Sequence, residues 1–208
     1  RLWSSKGQQL AVLKGHQGFV LSVAISIDNQ TIVSGGYDDT VRLWSSKGQP
    51  LAVLKSHQGL VRSVAISTDN QTIVSGGDDG TVRLWSSKGQ PLAELKGHQG
   101  YVSTVAISID KQTIVSGGDD GTVRLWDSKG KQVAELRGHQ GSVSSVAIST
   151  DGQTIVSGGS DGIVRLWDIR FESWLKAGCE RLQDHPVFKE LKTPDDKGAK
   201  ATCESSFR

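Results

Sequence analysis

GHQGYVSTVAISIDKQTIVSGGDDGTVRLWD, residues 97–127, decides the fold. It joins a Gly97-His98 opening to Ser116, Asp120 and a closing Trp126-Asp127. The 208-residue chain writes this unit four times, almost letter for letter. The closing tryptophans are Trp44, Trp85, Trp126 and Trp167, with a leading copy at Trp3, and each follows the last by 41 residues. The histidines His16, His57, His98 and His139 keep the same step, as do the aspartates Asp38, Asp79, Asp120 and Asp161. A fixed period near forty residues means a repeat architecture, in which each copy buries its apolar surface on its neighbours.

Working outward, each copy reads as four short strands. In the first copy, Gln8 to Gly48, these are QLAVLK (Gln9 to Lys14), VLSVAIS (Val20 to Ser26), TIVSGG from Thr31, and TVRLW ending at Trp44. The runs are rich in Val, Ile, Thr and Trp, which suit a pleated surface. Turn residues separate them. Asp28-Asn29, Asp69-Asn70, Asp110-Lys111 and Asp151-Gly152 join the second and third strands. Asn and Gly tolerate the positive φ of a tight hairpin, and Lys111 has no such advantage. Ser-Lys-Gly segments (Ser46 to Gly48, Ser87 to Gly89, Ser128 to Gly130) lead into the next copy. Short strands at regular spacing with no helical periodicity predict a propeller of four-stranded sheets, each apolar on both faces because blades stack on both sides. Ile32, Val33, Val41 and Leu43 fit that pattern.

Composition narrows the function. The net charge is +2 and the basic residues are spread through the repeats, unlike the one-sided footprint of a nucleic-acid binder. No apolar run is long enough to cross a bilayer and no signal peptide is visible, so no membrane partner is expected. Two cysteines, Cys179 and Cys203, form no disulfide framework, which makes a reducing cytoplasm the default. Asn29-Gln30-Thr31 and Asn70-Gln71-Thr72 match a glycosylation pattern, but turn chemistry explains these asparagines better. The chain opens at Arg1 in mid-repeat and has no Met, which leaves a longer parent chain open.

These residues carry a resemblance. The Gly-His opening, the SGGDDGTVRLWD closing and the spacing resemble the WD-repeat (WD40) β-propeller family over about residues 8–168. Ser56 replaces Gly before His57, Tyr37-Asp38-Asp39 replaces Asp-Asp-Gly, and Ser45 and Ser86 replace the Asp after Trp. The resemblance implies a buried tetrad in each blade: His16, Ser34, Asp38 and Trp44; His57, Ser75, Asp79 and Trp85; His98, Ser116, Asp120 and Trp126; His139, Ser157, Asp161 and Trp167. Residues 1–7 read as the remnant of a preceding repeat, 8–170 as four repeats and 171–208 as an extension. In the extension, SWLKAGCERLQ reads as a short helix with Ser173 as N-cap, and DDKGAKATCESSF as a weaker one. That tail resembles C-terminal extensions of bacterial, especially cyanobacterial, WD-repeat proteins. Some of those relatives carry an NTPase module ahead of the repeats, but no GxxxxGK[ST] occurs here.

Recurring His, Ser and Asp invite a catalytic reading, but a catalyst needs one site and a structural network must appear in every blade. The expectation is therefore no catalytic residue. The SGGDDG segments lack a following helix N-terminus for phosphate and a later Glu for calcium. Cys179, His185 and Cys203 match no usual zinc spacing. No cofactor and no metal are expected.

The informative positions are those where near-identical copies differ. Before the second strand stand Phe19, Leu60, Tyr101 and Ser142. Two residues on stand Leu21, Arg62, Ser103 and Ser144. Before the tetrad aspartate stand Tyr37, Asp78, Asp119 and Ser160. The resemblance places all twelve on one propeller face, where relatives bind proteins or peptides, and aromatics and Arg are hot-spot residues. Two function classes follow: a scaffold or sensor that binds a protein or peptide on that face, or a small-ligand binder or hydrolase using the central channel. The nearest titratable pair unique to one repeat is Arg62 with Asp78. Strand counting adds a further expectation. The last blade lacks an outer strand, and Gln9 to Lys14 has no blade of its own. Two chains exchanging these strands would close an eight-bladed homodimeric ring, leaving residues 1–7 displaced or disordered; a single-chain ring would need much wider wedge angles.

Overall fold

The computed structural model describes residues 1–55 and 57–170. Ser56, the helices read at Ser173 and beyond, and Cys179, His185 and Cys203 lie outside the described residues. The chain divides into two compact units, Arg1–Leu166 and Trp167–Arg208. The described residues form seventeen strands and no helix.

Strands β1 (Leu2–Trp3) and β2 (Gln9–Ala11) pair with each other. Three four-stranded antiparallel sheets follow. The first holds β3 (Val20–Ile25), β4 (Thr31–Gly36), β5 (Thr40–Ser45) and β6 (Pro50–Lys55) in chain order. The second holds β7 (Val61–Ile66), β8 (Thr72–Gly77), β9 (Thr81–Ser86) and β10 (Pro91–Lys96). The third holds β11 (Val102–Ile107), β12 (Thr113–Gly118), β13 (Thr122–Asp127) and β14 (Gln132–Arg137). Among the described residues the last sheet has three strands, β15 (Val143–Ile148), β16 (Thr154–Gly159) and β17 (Val164–Asp168). The strands begin and end within a residue or so of the apolar runs. The outer strand of the first copy is shorter than Gln9 to Lys14, because β1 offers it only two residues to pair with. Residues 1–7 are not displaced in the single chain, since Leu2–Trp3 holds β2.

The tight turns fit the sequence. Asn29, Asn70 and Lys111 take φ of 57°, 59° and 63°, and Gly152 takes 69°. Lys111 adopts the left-handed backbone without the local hydrogen bonding that eases it for Asn. Its Nζ reaches Asp69 Oδ2 in the preceding sheet at 2.9 Å. Asp39 likewise sits at φ 59°, where the later copies have Gly80, Gly121 and Gly162.

The core lies between sheets. Val33, Val41, Leu43 and Leu54 of the first sheet pack on Val61, Val64, Ile73 and Trp85 of the second. Val74, Val82, Leu84 and Leu95 pack in the same way on Val102, Val105, Ile114 and Trp126. Each fully buried valine or leucine contributes about 1.5–3 kcal/mol. A glycine makes room at the centre of each joint. A Cβ on Gly35, Gly76 or Gly117 would lie 2.5, 2.6 or 2.5 Å from Cγ1 of Val61, Val102 or Val143. Gly76→Ala is therefore expected to destabilise the protein by roughly 1–3 kcal/mol through overpacking, read as a lower urea midpoint. An unchanged midpoint would show that the sheets part freely at this joint.

Candidate functional site

The recurring polar residues come first. In the first blade His16 Nδ1 lies 2.7 Å from Asp38 Oδ1 and His16 Nε2 lies 2.7 Å from Ser34 Oγ. The Trp44 indole N–H donates to Ser34 Oγ at 2.8 Å. The second and third blades repeat the chain through His57, Asp79, Ser75 and Trp85, and through His98, Asp120, Ser116 and Trp126. In the fourth, His139 reaches Asp161 at 3.0 Å and Ser157 at 2.8 Å. The proton order follows from the chemistry. Indole only donates and carboxylate only accepts. Serine thus accepts from tryptophan, gives its own proton to His Nε2, and His Nδ1–H donates to aspartate. The histidines of the first three tetrads, His16, His57 and His98, are then neutral imidazoles with the proton on Nδ1.

The network is larger than the sequence reading had it. The N–H groups of Gln17, Gln58, Gln99 and Gln140 also donate to the aspartates. So do the Thr40, Thr81 and Thr122 hydroxyls. Arg42, Arg83 and Arg124 approach the same carboxylates at 3.3, 3.5 and 3.7 Å. These residues recur with the same period, which is the signal that would have found them. Burial alone would raise the Asp120 carboxyl, but the bonds from Gln99, Thr122 and His98 outweigh it and hold it down to about 2. Asp38 and Asp79 are also held well below the usual carboxylate range, against the same effect of burial, by His16 and His57 and the neighbouring donors. Burial pushes His98 down, and the Asp120 carboxylate only partly offsets it. Serine and histidine are thus bonded to each other inside the sheet.

The twelve varied residues take matching places in each blade. In every blade the first and third positions are joined by one backbone bond: Tyr37 N to Phe19 O, Asp78 N to Leu60 O, Asp119 N to Tyr101 O and Ser160 N to Ser142 O, each 2.9 Å. The second position follows on the first residues of β3, β7, β11 and β15, at Leu21, Arg62, Ser103 and Ser144. Phe19 and Tyr37 meet edge to face with centroids 5.1 Å apart, and Phe19 remains 71% exposed. Arg62 pairs with Asp78 within its blade, and its guanidinium lies 4.1 Å over the Tyr101 ring of the next. The Tyr101 hydroxyl meets Ser142 Oγ at 3.3 Å, and Ser142 donates to Asp119 at 2.7 Å. Ser103 is taken up by the backbone, since its hydroxyl bonds Gly117 O and Val143 O. Leu21, Ser144 and Ser160 are exposed and Leu60 is half-buried. Among the described residues no group of His, Cys, Asp and Glu is placed to hold a metal, and no helix is long and apolar enough to cross a membrane.

The family model for the WD domain, G-beta repeat, matches residues 7–45, 48–86, 89–127 and 130–168. The chain belongs to this WD40 family, whose repeats generally mediate protein–protein interaction and are typically non-enzymatic. The described part is similar to the crystal structure of the computationally designed Ika4 protein, with a TM-score of 0.71 and 36% identity over 79% of this chain and 99% of that one. No curated protein sequence matches the chain.

Ser116→Ala would strand the Trp126 indole N–H and His98 Nε2 in the sheet, at roughly 1–3 kcal/mol for each, measurable by urea unfolding. A loss no larger than that of an exposed serine would remove the tetrad from the stability argument. The pH dependence has a definite sign. His98 and the tetrad aspartates bind protons less readily folded than unfolded. Stability is thus complete above the unfolded value of 6.5 for His98 and of 3.8 for Asp120, and declines as pH falls through each folded value. The urea midpoint should be lower at about pH 5.5 than at about pH 7.5, and a rise on acidification would reverse the assigned proton order.

Proposed function

We propose that the chain is a non-catalytic interaction scaffold or sensor module. It binds a protein or peptide on the rim formed by Phe19, Leu21, Tyr37, Leu60, Arg62, Asp78, Tyr101, Ser103, Asp119, Ser142, Ser144 and Ser160. It works in a reducing cytoplasm as a homodimer whose two chains close an eight-bladed ring. It needs no cofactor, and its partners are neither nucleic acid nor membrane.

The observation that carries this reading is the Phe19–Tyr37 pair. Two aromatic rings meet edge to face at the rim of the first blade and stay open to solvent. Aromatic side chains in that setting give a partner large contact area at low entropic cost. The other blades offer polar chemistry beside it. Arg62 is held by Asp78 and stacked on Tyr101, so its remaining donors are fixed in direction rather than mobile. A rim that is apolar at one blade and polar at the next three suits a peptide with an apolar anchor followed by hydrogen-bonding backbone or side chains. The channel reading gains nothing from the same residues, because Arg62 and Asp78 are engaged with each other.

A peptide-display library selected on the wild-type protein supplies the probe. Replacing Phe19, Tyr37, Arg62 and Tyr101 together by alanine is expected to weaken the selected peptides by at least about tenfold, since several hot-spot truncations of about 1 kcal/mol or more combine. Unchanged affinity, by isothermal titration, would place binding elsewhere on the molecule.

A further inference from the structure

We infer that the two uncovered ends of the repeat array are the halves of one interface, and that its occupant is a second copy of this chain. The inference rests on the two-chain ring proposed above and supplies the surfaces that make it.

The chain already makes this joint three times. Val61, Val102 and Val143 fit over Gly35, Gly76 and Gly117, and all three valines are 0% exposed. The fourth set is divided between the ends. Gly158 would meet nothing within 4 Å with a Cβ added, and Val20 is 49% exposed. One end keeps the hole and the other keeps the knob. The wall of the joint is divided in the same way. Leu43, Leu84 and Leu125 are buried, whereas Leu166 is 73% exposed. One polar bond also recurs across each joint. Ser22 Oγ accepts from Val64 N–H at 3.0 Å, Ser63 Oγ from Val105 N–H at 3.0 Å, and Thr104 Oγ1 from Val146 N–H at 3.4 Å. The next members of that series are Ser145 at one end and Val23 at the other.

The strand deficits match as well. Among the described residues the last sheet stops at β17, and β2 has only the two residues of β1 beside it. β1 holds β2 with Leu2 opposite Ala11. In the first complete sheet Leu43 stands opposite Ala52, and Val41 opposite Leu54. Stepping back one repeat, Leu166 and Val164 of a second copy would stand opposite Ala11 and Leu13. β1 is therefore a short placeholder in the register that β17 of another chain would take. A cleft of about 360 Å³, lined by Val20, Val23 and Ile25 on one side and by Arg1 and Leu2 on another, lies where the incoming blade would seat.

A chain cannot serve as its own occupant. Three equivalent joints leave Val20 and Leu166 uncovered, so each joint turns the chain by less than a quarter circle. Closure then takes more than four blades. Two copies supply eight, the upper end of the usual range for propellers. The joint is head-to-tail, but two copies each offering both halves make it twice and leave no apolar face bare.

Native mass spectrometry of three proteins tests this. The wild type is expected at twice the chain mass. Gly158→Val fills the hole, and Val20→Glu charges the knob. A Cβ at Gly158 meets nothing within 4 Å and Val20 is half exposed in the single chain, so both variants should keep the wild-type circular dichroism and appear at the single-chain mass. A wild type at the single-chain mass overturns the two-chain ring and this interface together. A dimeric wild type whose two variants are also dimeric keeps the ring and overturns this interface. A variant that loses its circular dichroism leaves the other to decide.

Discussion

A sheet that is apolar on both faces cannot stand alone, and every other feature of this protein follows from that constraint. Its middle strands carry Val, Ile and Leu towards both neighbours. Removing one neighbour exposes an entire row of them, as the ends of the array show at Val20, Val23, Val164 and Leu166. The interior joints are made by shape rather than by area alone. A valine of one inner strand enters the space left by a missing Cβ on the next sheet. That fit explains why the glycine of TIVSGG recurs in every copy: a side chain there would hold two sheets apart.

The hydrogen-bonded tetrad serves this packing from within. The three four-stranded sheets bury Trp44, Trp85 and Trp126, and an indole N–H buried without a partner is costly. Serine relieves it, histidine orients the serine, and aspartate fixes the histidine tautomer. The aspartate in turn is held as an anion by backbone N–H groups and threonine hydroxyls, with an arginine guanidinium beside it. Most of those donors come from the loops at the blade's rim. The network therefore ties the rim loops to the tryptophan that packs against the preceding blade.

Much of this was legible in the sequence, and the limits are instructive. VLSVAIS, TIVSGG and TVRLW became β3, β4 and β5 because β-branched runs bounded by Asp-Asn and Gly-Gly have few alternatives. The tetrads were legible through the resemblance, because spacing alone cannot tell a buried network from a repeated surface motif. The arginines Arg42, Arg83 and Arg124 were not picked out. In a strand, an Arg between two apolar residues reads as a solvent-facing position, and only the folded sheet brings it to the aspartate four residues earlier. The bonds from Ser22 to Val64 and from Ser63 to Val105 were invisible for a related reason, since each joins strands of different sheets a full repeat apart. Lys111 was marked as the weakest turn residue. The structure keeps the turn regardless, with the lysine in the left-handed region and its ammonium on Asp69.

The varied rim and the frozen core obey different rules, and this gives the array a direction. The tetrads would be indifferent to exchanging the second blade for the third, because their residues and distances are the same. The rim would not be. Arg62 finds Tyr101 only because the blade carrying the tyrosine comes next, and Ser142 finds both Tyr101 and Asp119 only because its blade follows theirs. Blades two, three and four are thus joined at the rim in one order, while Phe19 and Tyr37 form a separate exposed pair in blade one. Contacts that depend on neighbour order are what an otherwise uniform ring needs in order to offer a partner one orientation rather than several. In a two-chain ring that ordered pattern would occur twice around the rim. A partner able to use both copies would gain by avidity, and one contacting a single apolar pair would not.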